Sequence, residues 1–375
     1  YGRLAGILSA VVLATSLLYF GLSRLITLDM PVAVLLTLAL LSFLLGTREA
    51  PGMGQRLFFY GFFSFSALAV LTKGLIGIVF PGMIIFWWLV LTGEWRVLRT
   101  MHLPSGLLIF LLIAVPWHVM AQRANPEFFD FYFVREHFQR YLTKVHHHYK
   151  PAWFYVPILI GGLFPWSVFL FQAVRHSFPP GTWKDRRIYR TEVFLLLWAL
   201  LIFLFFSASS SKLIPYLLPV FPPLALLIGR YLADGWSGTA LRGFRSGSVA
   251  FSVLSALIAA GLFVAHRFLP ALDTTGPAFV VWAAGVWLIL GDIAVWTARG
   301  TDAVPRSVIS MVTAFAFFLV ASGAVAGAFD NRSLKPLAMA LKPVLRPDDE
   351  IVHFRNYYQD LPVYLERRMT IAGWK

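Results

Sequence analysis

Four short polar motifs interrupt the apolar stretches of this chain: SRLITLDMP at 23–31, LTKG at 71–74, FYFVREHFQRYL at 131–142 and SSSKLIPYLLPVFPP at 209–223. The last is the most specific. Pro215, Pro219, Pro222 and Pro223 recur within it, and each removes a backbone donor and tends to break or kink a helix. Irregular backbone at membrane depth is tolerated only against protein or a polar cavity. Lys212 and Tyr216 are four apart, so on a helical turn they look the same way, and Ser211 adds a hydroxyl beside the lysine. A cation and a phenol at the rim of a kinked helix suit the phosphate of a lipid.

The other three motifs each carry two readings. Asp29, beside Pro31, either caps a helix start or sets a carboxylate at a cavity mouth as base or metal ligand; Arg24 belongs to the same motif. Lys73, in a tight turn, is either a snorkelling lysine or, with Lys212 on the same side, a ligand for an anionic headgroup. On a helix, Glu136, His137 and Arg140 share one face. Glu136 and His137 then suit a divalent cation or proton transfer, and the alternative is a solvated interfacial helix with aromatic anchors. The HHH run at 146–148 is a weak metal signal, and Asp292 and His118 are lone groups within spans.

These motifs need elements that hold them at one membrane face. Of 375 residues only 13% are charged and 58% are hydrophobic, too apolar a balance for a water-soluble domain. Eleven apolar blocks approach the length of a bilayer span: 4–22, 31–46, 57–72, 75–91, 105–121, 153–174, 191–207, 214–232, 247–265, 277–296 and 307–325. Open strands cannot cross lipid, so each is a predicted helix. The fold class expected is an all-α polytopic membrane protein with a small C-terminal α/β tail outside the membrane. Residues 1–328 form the bundle, with 122–152 the largest loop, and 329–375 the tail. In the tail EIVHF alternates as a strand does and KPLAMALKPVL reads as a short helix.

The loops sort into two sets. TREAPGMGQR, TGEWRVLRTMHLP, RHSFPPGTWKDRRIYR, DGWSGTALRGFR and TARGTDAVPR are plain and basic, and so are assigned to the cytoplasmic side. The polar motifs fall in the opposing, outer set. A net charge of +14 points to anionic headgroups or phosphorylated substrates, and no basic run stands apart from the spans to suggest nucleic acid. There is no cysteine, so disulfides, thiol catalysis and cysteine-type zinc sites are excluded.

SRLITLDMP, LTKG, VREHFQRYL with YKPAWFYVP, and SSSKLIPYLLPVFPPLALL occur in order and on one side. In this the chain resembles the lipid-linked-sugar glycosyltransferases of the protein O-mannosyltransferase superfamily, in the branch of 4-amino-4-deoxy-L-arabinose lipid A transferase. The likeness covers residues 1 to about 235 and continues as topology. It implies a GT-C fold in the bacterial inner membrane with catalysis at the periplasmic face. The implied donor is a sugar on undecaprenyl phosphate, the implied acceptor lipid A or another envelope molecule, and the remaining partners are membrane lipids. Asp29 matches a catalytic acid, and Lys73, His137, Arg140, Lys212 and Tyr216 match groups lining the donor phosphate and sugar. Arg24, Glu136 and Ser211 are additional candidates. No cofactor is required, with a divalent cation at Glu136 and His137 left open. The family's first outer loop and its main acid would precede Tyr1, so the expectation is a fragment, inactive by itself. The competing expectation is a secondary transporter or flippase of an anionic or lipid-linked substrate. Against it, no internal repeat is visible and the ionisable groups crowd one face.

Overall fold

A backbone in lipid must bond to itself, so the apolar runs become helices. In the computed structural model of the chain the described residues are 1–132, 150–181, 184–239, 241–266, 285–291, 293–294, 303–326 and 333–373. They contain α1 (Arg3–Ala14), α2 (Leu17–Ser23), α3 (Asp29–Gly46), α4 (Met53–Lys73), α5 (Ile76–Thr92), α6 (Leu103–Ala124), α7 (Tyr155–Gly162), α8 (Leu170–Ser177), α9 (Arg190–Ala208), α10 (Phe221–Trp236), α11 (Phe244–His266) and α12 (Ala303–Ala326). A 3-10 helix, Ile214–Val220, leads into α10. Among the described residues six helices are long and apolar enough to cross a membrane, and eight if each of two bent pairs is one span. Of the other three expected spans, 57–72 lies in α4, which carries Gln55, Arg56 and Lys73. The span at 75–91 is the 17-residue α5, and 277–296 lies largely outside the described residues.

Two expected straight spans are broken. The block at 4–22 bends by 68° between α1 and α2, and that at 153–174 by 102° between α7 and the helical stretch that ends as α8. At the first break the Thr15 and Ser16 hydroxyls turn back onto the carbonyls of Val11 and Val12, competing with the backbone ladder. At the second, Pro165 has no N–H to continue the helix. The breaks satisfy one another. Leu17 N–H donates to Phe164 O at 3.1 Å, and Trp166 Nε1 donates to Thr15 Oγ1 at 2.8 Å. Gly162 permits this approach, because a Cβ there would sit 2.7 Å from Leu18 Cβ.

The chain divides into two compact units, 1–259 with 285–319, and 260–284 with 320–375. The core of the first is aromatic: Phe43 meets Phe59, Phe62, Trp88 and Phe194, each at ring distances of 5.7–6.2 Å. Around it α3 and α4 form an antiparallel hairpin and α1 lies along α10. In the second unit α13 (Lys335–Leu341), β1 (Val352–Phe354), α14 (Leu361–Leu365) and β2 (Thr370–Ala372) form a small α/β fold over Ala338, Leu361 and Leu365. Its strands are parallel, with Val352 opposite Thr370. The expected strand and helix are both present. The strand, however, turns His353 inward and leaves Val352 and Phe354 exposed, and His353 Nδ1 accepts the N–H of Tyr358 at 3.3 Å.

Candidate active site

Because α3 and α4 run antiparallel, the first residue of α3 and the last of α4 come together, although 44 positions separate them. These residues are Asp29 and Lys73, and their side chains form a direct ion pair. Each charge suits its place: an anion at a helix N-terminus and a cation at a C-terminus both oppose the helix dipole. Gly74, at φ 83°, stops α4 directly after the lysine, in a conformation that glycine adopts without cost. The N-cap of α3 is Leu28, and Asp29 stands in its first turn.

The Lys73 ammonium also lies 4.8 Å from the centre of the Tyr216 ring, within cation–π range. Tyr216 sits in the 3-10 helix, which packs against α3 and α9, and its ring is 5.0 Å from that of Phe206. Pro215 stands in the first turn of the 3-10 helix, where its missing N–H is not needed, and Pro219 lies near its end. The expectation that Lys212 and Tyr216 share a helical face fails here, because Lys212 precedes the 3-10 helix.

Lys212 is instead buried in the turn after α9, at 5% exposure, and donates to Ser209 O. Burial pulls its pKa below the ordinary lysine value. Ser209 Oγ donates to Ser211 O at 3.0 Å. The Ser211 hydroxyl is buried and finds no hydrogen-bond partner among the described residues. The Arg24 guanidinium lies 4.7 Å from the centre of the Phe20 ring. Glu136, His137, Arg140 and the run at 146–148 lie outside the described residues, as does Asp292. His118 binds Ala114 O through Nδ1 at 2.8 Å, and its ring joins Trp117 and Tyr132. Among the described residues no group of three or more His, Cys, Asp or Glu side chains is placed to hold a metal.

Sequence reasoning missed two features. Tyr155, fully buried at the start of α7, donates to Leu213 O at 3.0 Å. A tyrosine in an apolar span was the available signal, since its hydroxyl needs a partner when buried. The second lies at the opposite ends of α9 and α10, where the charges do more than set topology. Arg230 pairs with buried Glu192, and His176 Nε2 meets Asp234 Oδ2 at 2.8 Å. Nearby Arg48 donates to Thr191, and Trp88 Nε1 to Arg190 O at 2.8 Å.

Residues 1–120 match the family model described as dolichyl-phosphate-mannose-protein mannosyltransferase. The undecaprenyl phosphate-alpha-4-amino-4-deoxy-L-arabinose arabinosyl transferase of Enterobacter sp. (strain 638) is 29% identical over 75% of this chain and 52% of its own length. The protein of that name from Erwinia tasmaniensis is 31% identical over 68% of this chain and 45% of its own. The chain thus spans about half the length of the curated relatives it matches. Its fold matches the crystal structure of ArnT from Cupriavidus metallidurans bound to undecaprenyl phosphate. That match has a TM-score of 0.79 and 25% identity, and covers 98% of this chain and 66% of that one. The apo structure of the same protein matches with a TM-score of 0.75. The chain is thus a multi-pass helical bundle similar in sequence to the undecaprenyl phosphate-alpha-4-amino-4-deoxy-L-arabinose arabinosyl transferases and similar in fold to ArnT.

Proposed function

We propose that the whole protein transfers a sugar, 4-amino-4-deoxy-L-arabinose or a similar pentose or hexose, from undecaprenyl phosphate to lipid A or another envelope acceptor. The reaction would take place at the periplasmic face of the bacterial inner membrane. The observation that carries this reading is the gathering of Asp29, Lys73 and Tyr216 at one end of the bundle, next to the turn that bears Lys212. The named functions of the relatives support it.

In this mechanism a carboxylate activates the acceptor hydroxyl, which attacks the anomeric carbon as the polyprenyl phosphate departs. The leaving group is already anionic and needs no proton from a general acid. It needs cations that strengthen their hold as charge grows on the bridging oxygen. Lys73, Arg140 and Lys212 have that role, with Tyr216 and His137 lining the sugar and phosphate. Arg24, Glu136 and Ser211 are the outer candidates. No step calls for a metal, and a divalent cation at Glu136 and His137 would be an addition to this scheme.

The ion pair adds an order to these events. With no donor bound, Lys73 neutralises Asp29. A donor phosphate competes for that ammonium, which releases the Asp29 carboxylate to the acceptor hydroxyl with the donor already in place.

Lys212→Ala in the full-length protein, reconstituted with labelled undecaprenyl-phosphate sugar, is expected to lower transfer about 100-fold. Near-normal turnover would remove Lys212 from the phosphate site. A wild type that carries the lipid across the bilayer without transferring its sugar would favour the flippase instead.

A further inference from the structure

The turn between α9 and the 3-10 helix must hold Lys212 and Tyr216 with little regular structure of its own. Pro215 and Pro219 have no N–H, so the backbone ladder here is incomplete. Side chains supply the missing ties. Two of them are local, Ser209 Oγ to Ser211 O and Lys212 to Ser209 O. The third comes from 58 residues away: the hydroxyl of Tyr155, whose ring is fully buried, donates to Leu213 O at 3.0 Å. Leu213 O also accepts the N–H of Tyr216 at 3.2 Å. One carbonyl therefore links α7, the lysine turn and the first residues of the 3-10 helix.

We infer that Tyr155 is a positioning residue for the donor phosphate. By pinning Leu213 it sets the depth of Lys212 and Ser211, and through the Tyr216 ring it sets the place of the Lys73 ammonium. Ser211 gains a purpose in this arrangement. Its buried hydroxyl, without a partner among the described residues, is a donor kept for the ligand, because a buried polar group left unpaired is costly. The inference rests on the transfer reading above, and it assigns to Tyr155 no contact with the reacting atoms.

The test is Tyr155→Phe in the full-length protein, which keeps the ring and deletes only the donor. Three quantities are measured in liposomes: binding of bare undecaprenyl phosphate, the KM and kcat of sugar transfer, and Tm. Loss of one such bond is expected to weaken lipid-phosphate binding and raise KM by about fivefold, with kcat nearly unchanged. Tm should stay within a few degrees of the wild type. Unchanged binding and KM would overturn the inference, and so would a loss confined to Tm, which a purely structural tyrosine gives. A wild type that neither binds the lipid phosphate nor transfers sugar would overturn the transfer reading instead.

Discussion

The Lys73 and Asp29 side chains are 26% and 17% exposed, so their pairing is a competition as well as a bond. Replacing Asp29 with Asn keeps the shape and removes the charge. On the proposed scheme Asp29→Asn lowers sugar transfer strongly while removing the carboxylate that competes with an anion for Lys73. Binding of bare undecaprenyl phosphate should therefore tighten, by up to about fivefold for a partly exposed pair. Equilibrium binding to the purified variant checks this. Weaker binding would mean that Asp29 holds Lys73 in place for the phosphate rather than away from it. The same pair shows how far single residues could be read. Asp29 beside Pro31 could be read as a helix cap or as a carboxylate at a cavity mouth, and its partner, 44 positions away, was not legible in the sequence.

At the scale of elements, the two bent spans are interlocked through Thr15 and Trp166. Both halves leave the break toward functional groups: α2 leads to the motif with Asp29, and α7 begins with Tyr155. Thr15→Val removes the acceptor for a fully buried indole N–H. The unpaired group should cost about 1–3 kcal/mol, read as a lower unfolding midpoint in detergent. Adding Trp166→Phe to that variant should recover part of the difference in a double-mutant cycle. Additive effects would mean that the bond contributes nothing. The apolar blocks were legible as helices, but the breaks were not. A hydropathy window averages over Ser16 and Pro165, whereas the bends depend on what the freed backbone groups meet across the bundle.

At the scale of the whole helical unit, charge is sorted to two ends of the same helices. α9 begins near Glu192 and ends at the lysine turn, and α10 begins just after Tyr216 and carries Arg230 and Asp234 toward its far end. On the proposed scheme the far end serves assembly and the near end chemistry. Arg230→Ala leaves Glu192 buried and uncompensated, with an expected loss of about 3 kcal/mol in stability. Kinetic constants of the folded fraction should be unchanged, and thermal unfolding beside transfer assays would show the split. A variant of normal stability with impaired transfer would place this network in the reaction.

The sequence by itself determined the class of molecule. Spans too apolar for water, and the strand and helix of the tail, are properties of composition and local period, and the described residues keep them. The tertiary structure decided which of the motif residues meet. Lys73 with Asp29, Tyr155 with Leu213, one broken helix with the other, and Arg230 with Glu192 are all contacts between distant positions. Periodicity reports the side and the face a residue occupies. It carries no information on which helix stands opposite, and that choice belongs to the packing of the aromatic core.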